Sequence, residues 1–299
     1  MKILGIGESV IDTAYIATSD KVTNHVGGPS PIALMLLARL GIETTMMTTL
    51  GNDPEGQQIK QTLIKEGVRI IVSPAKKTKV NTYHINPQNG SRKKVRGNIK
   101  HAPISNLEES FIQTFDLIII DRHEHEAFYE VLKKKNPTAK ILIDPSTEIS
   151  AFTLDMIKYA DYPIIPIESV LKLSKQKDLV QALRQLQTYT SKPIIITAGA
   201  LGSIILEKGV PEVIPAIPVQ AIDVQGAGDV YRGAFAYGIV HQWNIPKAVA
   251  FANMVAGLHC TKLGNASALP TKESIMAYQK QLRDQKMEKI TEYLEQAYE

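Results

Sequence analysis

The residues best equipped for chemistry lie in one short run, Ala221-Ile222-Asp223-Val224-Gln225-Gly226-Ala227-Gly228-Asp229, followed by an apolar helical stretch from Val230 to Val240. Gly226, Ala227 and Gly228 carry little or no side chain, so their backbone N–H groups can close around a ligand. A helix starting there points its free N-terminal N–H groups and positive dipole end into the same space. The combination is an anion site. Asp229, a carboxylate at the end of that turn, is poorly suited to bind an anion. It is well suited to take a proton from a hydroxyl that attacks phosphorus. Taken alone, the run also fits a tight loop whose acid merely caps a helix.

Other candidates are spread along the chain. Asp12 follows the first strand, where α/β sheets place ligands, and its carboxylate suits a polyol; a solvated loop acid fits equally well. Gly27-Gly28-Pro29-Ser30-Pro31 opens a helix from Ile32 to Leu40 that Gly41 closes, with proline in the first turn and glycine at the end. Arg122 stands at a strand's carboxyl end, a place for a phosphate contact or for an ordinary surface arginine. His123 and His125 are too close in sequence to share one helical face as a metal pair. Between Lys76 and His101 eight Lys and Arg residues occur without an acid. They form either a solvated face or a cover that favours an anionic ligand.

The elements that must position these groups alternate. Strands are expected at Lys2–Gly7, Thr44–Leu50, Leu117–Ile120, Lys140–Ile143, Tyr162–Ile165 and Pro193–Ile196, and short antiparallel strands at Ser203–Glu207 and Glu212–Ile214. Helices are expected after Gly56, near Asp178–Tyr189, Val230–Val240 and Ile245–Leu263, and from Lys272 onward. Strand–helix alternation predicts an α/β fold with a mainly parallel sheet sandwiched by helices. Val80–Ile85 alternates like a strand, and Pro87-Gln88-Asn89-Gly90 signals a hairpin that returns through Ser91–Val95. There is no linker-like or repetitive segment, so 1–299 reads as one domain carrying a small β-strand lid.

Bulk properties narrow the function. A net charge of +4 over 299 residues does not call for nucleic acid. A single cysteine, Cys260, rules out an internal disulfide and a cysteine-built zinc site, and fits a reducing cytoplasm. The N-terminus lacks signal-peptide character, and no apolar run has the length of a membrane span. A cytoplasmic protein without membrane or nucleic-acid partners is expected.

Three separated segments together resemble the ribokinase-like, or PfkB, carbohydrate kinases over nearly the whole chain. Gly27-Gly28 is similar to the family's N-terminal signature, and Asp223–Asp229 to its Asp-Thr-x-Gly-Ala-Gly-Asp. Thr197-Ala198-Gly199-Ala200-Leu201-Gly202 is similar to the Thr-x-Gly-x-x-Gly of its nucleotide site. The resemblance implies a ribokinase-like fold and an ATP-dependent kinase acting on a hydroxymethyl group of a sugar or sugar derivative. It makes Asp229 the general base and gives Gly226, Ala227 and Gly228 the transferred charge to hold. Thr197, Gly199, Gly202 and Asn253 would serve the nucleotide, and Asp12, Gly27, Gly28 and Arg122 the acceptor. Mg2+ would arrive with ATP. K+ would be bound near Asp223, Gln225, Gly264 and Ser267. Lid segments near 13–26 and 76–103 would close over a small sugar-like acceptor and pair two copies into a homodimer.

Three departures from the pattern bear on substrate and metal. Ile32 stands where the family commonly has an asparagine that reaches the sugar. Pro166 and Ser169 replace the ends of an Asn-x-x-Glu motif, leaving Glu168 as the nearby acid, and Gln225 replaces a threonine. A nucleoside or vitamin-like hydroxymethyl acceptor, and a kinase-like protein that only binds ligand, are the alternatives. A dinucleotide dehydrogenase is disfavoured because no Gly-x-Gly-x-x-Gly follows the first strand.

Overall fold

Runs such as Ile3-Leu4-Gly5-Ile6 and Leu117-Ile118-Ile119-Ile120 have no polar face, and successive side chains in a strand point to opposite sides, so such strands need cover on both faces. The computed structural model describes residues 1–298 apart from 17–18, 86–91, 97–98, 100–101, 105–106, 148–149 and 176–177. In chain order its strands are β1 (Lys2–Ile6), β2 (Val10–Ile16), β3 (Ser19–Gly27), β4 (Glu43–Gly51), β5 (Arg69–Ala75), β6 (Val80–Ile85), β7 (Arg92–Arg96), β8 (Leu117–Asp121), β9 (Lys140–Asp144), β10 (Tyr162–Pro166), β11 (Ile194–Thr197), β12 (Ser203–Glu207) and β13 (Val210–Ile214). The helices are α1 (Pro29–Arg39), α2 (Pro54–Lys65), α3 (Glu109–Ile112), α4 (His125–Lys134), α5 (Ala151–Tyr159), α6 (Ile167–Ser174), α7 (Leu179–Gln187), α8 (Ala227–Val240), α9 (Ile245–Cys260) and α10 (Lys272–Tyr298).

The main sheet runs β13-β12-β11-β10-β9-β8-β1-β4-β5, parallel from β11 to β5 and antiparallel at the β11–β12–β13 end. Its strands sort their side chains by parity. Ile3, Leu117 and Ile119 join a core with Leu34, Leu37, Phe235 and Val249 of α1, α8 and α9. Leu4, Ile6, Ile118 and Ile120 join a second core with Phe128, Met156 and Leu183 of α4, α5 and α7. Fully burying an Ile or Leu side chain is worth about 1.5–3 kcal/mol, so a one-residue slip of any central strand is strongly disfavoured.

A second sheet, β3-β2-β6-β7, joins the two segments expected to form a lid. β2 pairs antiparallel with β3 and parallel with β6, from Ile11 opposite Val80 to Ile16 opposite Ile85, and β6 pairs antiparallel with β7. The expected turn at Pro87–Gly90 lies outside the described residues.

Pattern alone assigns no element to β5, α5 or α6. β5 is an edge strand of only seven residues, held by its parallel register on β4. α5 owes its start to a reciprocal cap between Ser150 and Thr153, a local contact that periodicity does not register. The helix expected from Val230 begins a turn earlier, at Ala227, with Gly226 as its cap. The anion turn and the first helical turn are therefore one structure. Among the described residues no helix is long and apolar enough to cross a membrane.

Candidate active site

A cleft of about 500 Å3 opens at the carboxyl ends of β1, β8, β9 and β10, with residues of the small sheet along one side and the start of α8 along the other. This is where parallel sheets place ligands, because strand order reverses there: β1 is flanked by β8 on one side and β4 on the other.

Gly226 holds φ at +78°, a left-handed conformation, and a Cβ at that position would collide with the Asn265 side chain. Both facts reserve the position for glycine. The turn is closed by Val230 N–H donating to the Gly226 carbonyl at 2.9 Å and by Ala227 N–H donating to Val224 at 3.3 Å. Ala227 thus spends its N–H inside the turn. Asp229, the third residue of α8, presents a carboxylate that is 21 % exposed and faces the cleft. Burial by the surrounding protein pushes it up to about 7. Arg232 opposes that rise, and the nearby charges of Asp144, Asp12 and Asp121 add to it.

Arg232, one turn along α8, is buried between two acids. Its guanidinium donates to Asp229 Oδ1 at 3.1 Å and to Asp144 Oδ1 at 2.5 Å, while its Nε has no partner among the described residues. Without it two carboxylates would face one another in a poorly solvated cleft.

The opposite wall is polar. Asp12 accepts from Asn81 Nδ2 at 2.9 Å and from Gln225 Nε2 at 3.4 Å. Gly27, next to Asp12 across the β2–β3 pair, makes room for that carboxylate, and Gly28 (φ +110°) lies against the Glu8 carbonyl. Glu8 is paired with Lys79 at 2.5 Å and approached by His123 at 3.6 Å. Asp121 accepts the N–H of Glu8 at 2.8 Å and that of His123 at 2.9 Å. Burial pushes the Asp121 carboxyl up, but hydrogen bonds from His123 and Glu8 outweigh it and hold the group below the ordinary range. Arg122 is half-buried and lines the cleft. Ile32 is fully buried in the core beside α8, so the position at which the resemblance leads one to expect an asparagine does not reach the cleft; Asn81 and Gln225 bring amides there.

Thr197 ends β11, and the exposed Gly199 begins the turn that follows it. Gly202 (φ +102°) abuts the Ile214–Ala216 backbone. Asn253 is buried, accepts from Ser203 Oγ at 2.8 Å, and donates to the carbonyls of Ile214 at 3.0 Å and Pro215 at 3.3 Å. Both hold the exit of β13, and none of Thr197, Gly199, Gly202 and Asn253 lines the cleft described above.

The residues implied for a monovalent cation are largely committed. Asp223 accepts the Gln225 N–H on one oxygen and the Gly264 N–H on the other, each at 3.0 Å. The Gln225 carbonyl accepts from His259 Nε2 at 2.7 Å. Ser267 Oγ lies against Gly264. A cation needs oxygens that face it, and here the Asp223 carboxylate and the Gln225 carbonyl are already engaged by N–H donors. At the altered Asn-x-x-Glu segment Ser169 donates to the Ser146 carbonyl at 2.8 Å and Pro166 lines the cleft. Neither of these two side chains offers a carboxylate.

Sequence reasoning did not single out Arg232, Asp144, Asn81 or Asn265, and it took in Lys79 only as one of the eight basic residues between Lys76 and His101. A signal existed for two. Asp144 ends a strand just as Asp121 does, and Arg232 interrupts an otherwise apolar helix. Asn81 and Lys79 reach the cleft only because β6 pairs with β2.

The pattern of the pfkB family carbohydrate kinases matches residues 2–272. The chain is 27% identical over 278 residues to the ribokinase of Bacillus subtilis, covering 90% of each chain. In fold it is similar to a fructokinase double mutant from Vibrio cholerae solved with fructose, ADP and a potassium ion, with a TM-score of 0.78, 20% identity, and coverage of 93% of this chain and 97% of that one. It is also similar to an Escherichia coli protein solved with ATP and Mg2+, with a TM-score of 0.79, 18% identity, and coverage of 94% and 99%. With a mainly parallel sheet, a small second sheet beside its cleft, and a glycine turn leading into an acid-bearing helix, this chain belongs to the PfkB family of carbohydrate kinases.

Proposed function

We propose that the chain transfers the γ-phosphoryl group of ATP to a hydroxymethyl group of a sugar or sugar derivative, with Asp229 as general base. The observation that carries this reading is the position of Asp229. It sits in the first turn of α8, immediately after the glycine turn, and faces a cleft whose far wall is lined by hydrogen-bonding groups.

Phosphoryl transfer asks a protein mainly for alignment and charge neutralisation. Asp12, Asn81 and Gln225 would orient acceptor hydroxyls. The N–H groups at the start of α8 other than that of Ala227 would hold the charge spread over the transferred phosphoryl oxygens. As the acceptor oxygen bonds to phosphorus and ADP departs, Asp229 accepts the hydroxyl proton. Arg232 keeps enough of Asp229 ionised near neutral pH for that role. Thr197 and Gly199 would lie along the nucleotide. Mg2+ supplies neutralisation of phosphate charge when ATP is bound.

Arg122 in the cleft favours an acceptor that itself carries a carboxylate or phosphate. Apart from the His123 imidazole, Tyr83 is the only aromatic ring among the described residues lining the cleft, which offers little stacking for a nucleoside base. The deciding measurement is ADP release with ATP and Mg2+ across neutral sugars, sugar acids, sugar phosphates and nucleosides, run beside the Asp229→Asn protein. Acceptor-dependent release that disappears in the variant is expected. ATP binding without release for any acceptor would favour a ligand-binding protein of the same fold.

A further inference from the structure

His259, near the end of α9, has no part in the mechanism above, yet it sits under the anion turn. It is completely buried in a helix whose neighbouring positions are mostly apolar. Its Nε2 lies 2.7 Å from the Gln225 carbonyl. That partner can only accept, so Nε2 carries the hydrogen and donates. The other ring nitrogen has no partner among the described residues. A Cβ placed on Gly226 would meet both His259 Nε2 and the Asn265 side chain, so the two side chains flank the first residue of the turn.

The contacts around it form a connected set. The N–H groups of Ile222 and Asp223 donate to the Cys260 carbonyl at 2.8 and 3.1 Å, and Asp223 accepts from Gln225 and Gly264. Segment 222–225 is thereby fastened to the end of α9 and to the loop at Gly264. A monovalent cation would do the same work by gathering the Asp223 carboxylate, the Gln225 carbonyl and the 264–267 loop around itself. Here N–H donors point at the Asp223 carboxylate and the Gln225 carbonyl, and His259 supplies the one that reaches Gln225.

We propose that His259 takes the place of a monovalent cation beneath the anion turn. Its imidazole N–H fixes the Gln225 carbonyl, and with it the backbone of Gly226–Gly228, so phosphoryl transfer by this chain does not require potassium. His259 is a positioning residue: it acts through the turn and does not touch the reacting atoms. The activity part of the test rests on the kinase reading; the binding and stability parts do not.

The test compares potassium chloride with an equal concentration of tetramethylammonium chloride, a cation too large for such a site. Three quantities are read on the wild type, His259→Ala and His259→Gln: the thermal unfolding midpoint, the affinity for a fluorescent ADP analogue, and acceptor-dependent ADP release. For the wild type all three are expected to be the same in both salts. His259→Ala should lose roughly 100-fold in turnover, the scale of an ångström-sized misplacement, and regain part of it when potassium enters the vacated space, with a parallel rise in midpoint. His259→Gln should recover most of the loss, because its amide can donate to the same carbonyl. A wild type whose midpoint or ADP affinity rises specifically with potassium would overturn the proposal. So would a His259→Ala protein with full turnover in tetramethylammonium, or one whose loss potassium does not relieve. If His259→Ala fails to fold, the wild-type salt comparison and His259→Gln decide. Failure of the kinase reading would show separately, as absence of wild-type ADP release in either salt.

Discussion

Asp229 must be ionised to accept a proton, and its surroundings place that requirement close to neutrality. Burial raises its pKa to about 7 against the pull of Arg232. Activity should therefore climb as pH rises through about 7, and the acidic limb of the kcat/KM profile measures this directly. Arg232→Met removes the charge that lowers this value, so the limb should move to higher pH; an unmoved limb would separate Arg232 from the base. Asp229→Asn should cut turnover by roughly 10²–10⁴-fold and leave ATP binding intact, which single-turnover kinetics and calorimetry can read separately. The sign for stability follows from the same shift. An acid whose folded pKa lies above its unfolded value favours the native state below the unfolded value and loses that contribution as pH rises through the folded one. Asp229→Asn should consequently raise the unfolding midpoint at pH 8, with the gain shrinking as pH falls below 7.

One junction governs the site among the elements, the entry into α8. Gly226 combines a left-handed φ with a space already filled by Asn265. Gly226→Ala should cost about 1–3 kcal/mol for the backbone strain alone. It should also lower turnover by more than it lowers ADP affinity, a split visible in kcat against nucleotide Kd. The β2–β6 pair is proposed to work in the same way for the acceptor. Its register sets Asp12 opposite Asn81 and lets the Asn81 amide donate to the carboxylate. Asn81→Ala should raise the acceptor KM with little change in kcat, because hydrogen bonds made equally to ground and transition states contribute only to binding. Both junctions carry sequence signals of unequal strength. A Gly-Ala-Gly-Asp run before an apolar helix announces itself, whereas parallel pairing of strands some seventy residues apart does not.

Across the whole molecule, two buried helical layers and a central sheet bring residues from the entire chain to one end of the strands. The eight basic residues between Lys76 and His101 are proposed to favour an anionic acceptor, a reading that belongs to this scale. Neutralising Arg92, Lys93, Lys94 and Arg96 together should raise the KM of an anionic acceptor and leave a neutral one unaffected, and unchanged kinetics for both would assign these residues to solvent. Strand–helix alternation, the anion turn and the glycine helix start are properties of neighbouring residues, and they are legible in the sequence because propensity, period and turn chemistry act over a few positions. The fold follows from them, since all-apolar strands separated by helices leave few arrangements other than a covered parallel sheet. The meeting of Asp12, Asp144 and Asp229 around one cleft, the placement of Arg232 between two of them, and the insertion of His259 beneath Gln225 depend on contacts between elements far apart in the chain. Such contacts are selected by packing and charge compensation in a low-dielectric interior, which no local stretch encodes, and so the tertiary structure alone decided how the Asp229 carboxyl is tuned and what supports the turn at Gly226.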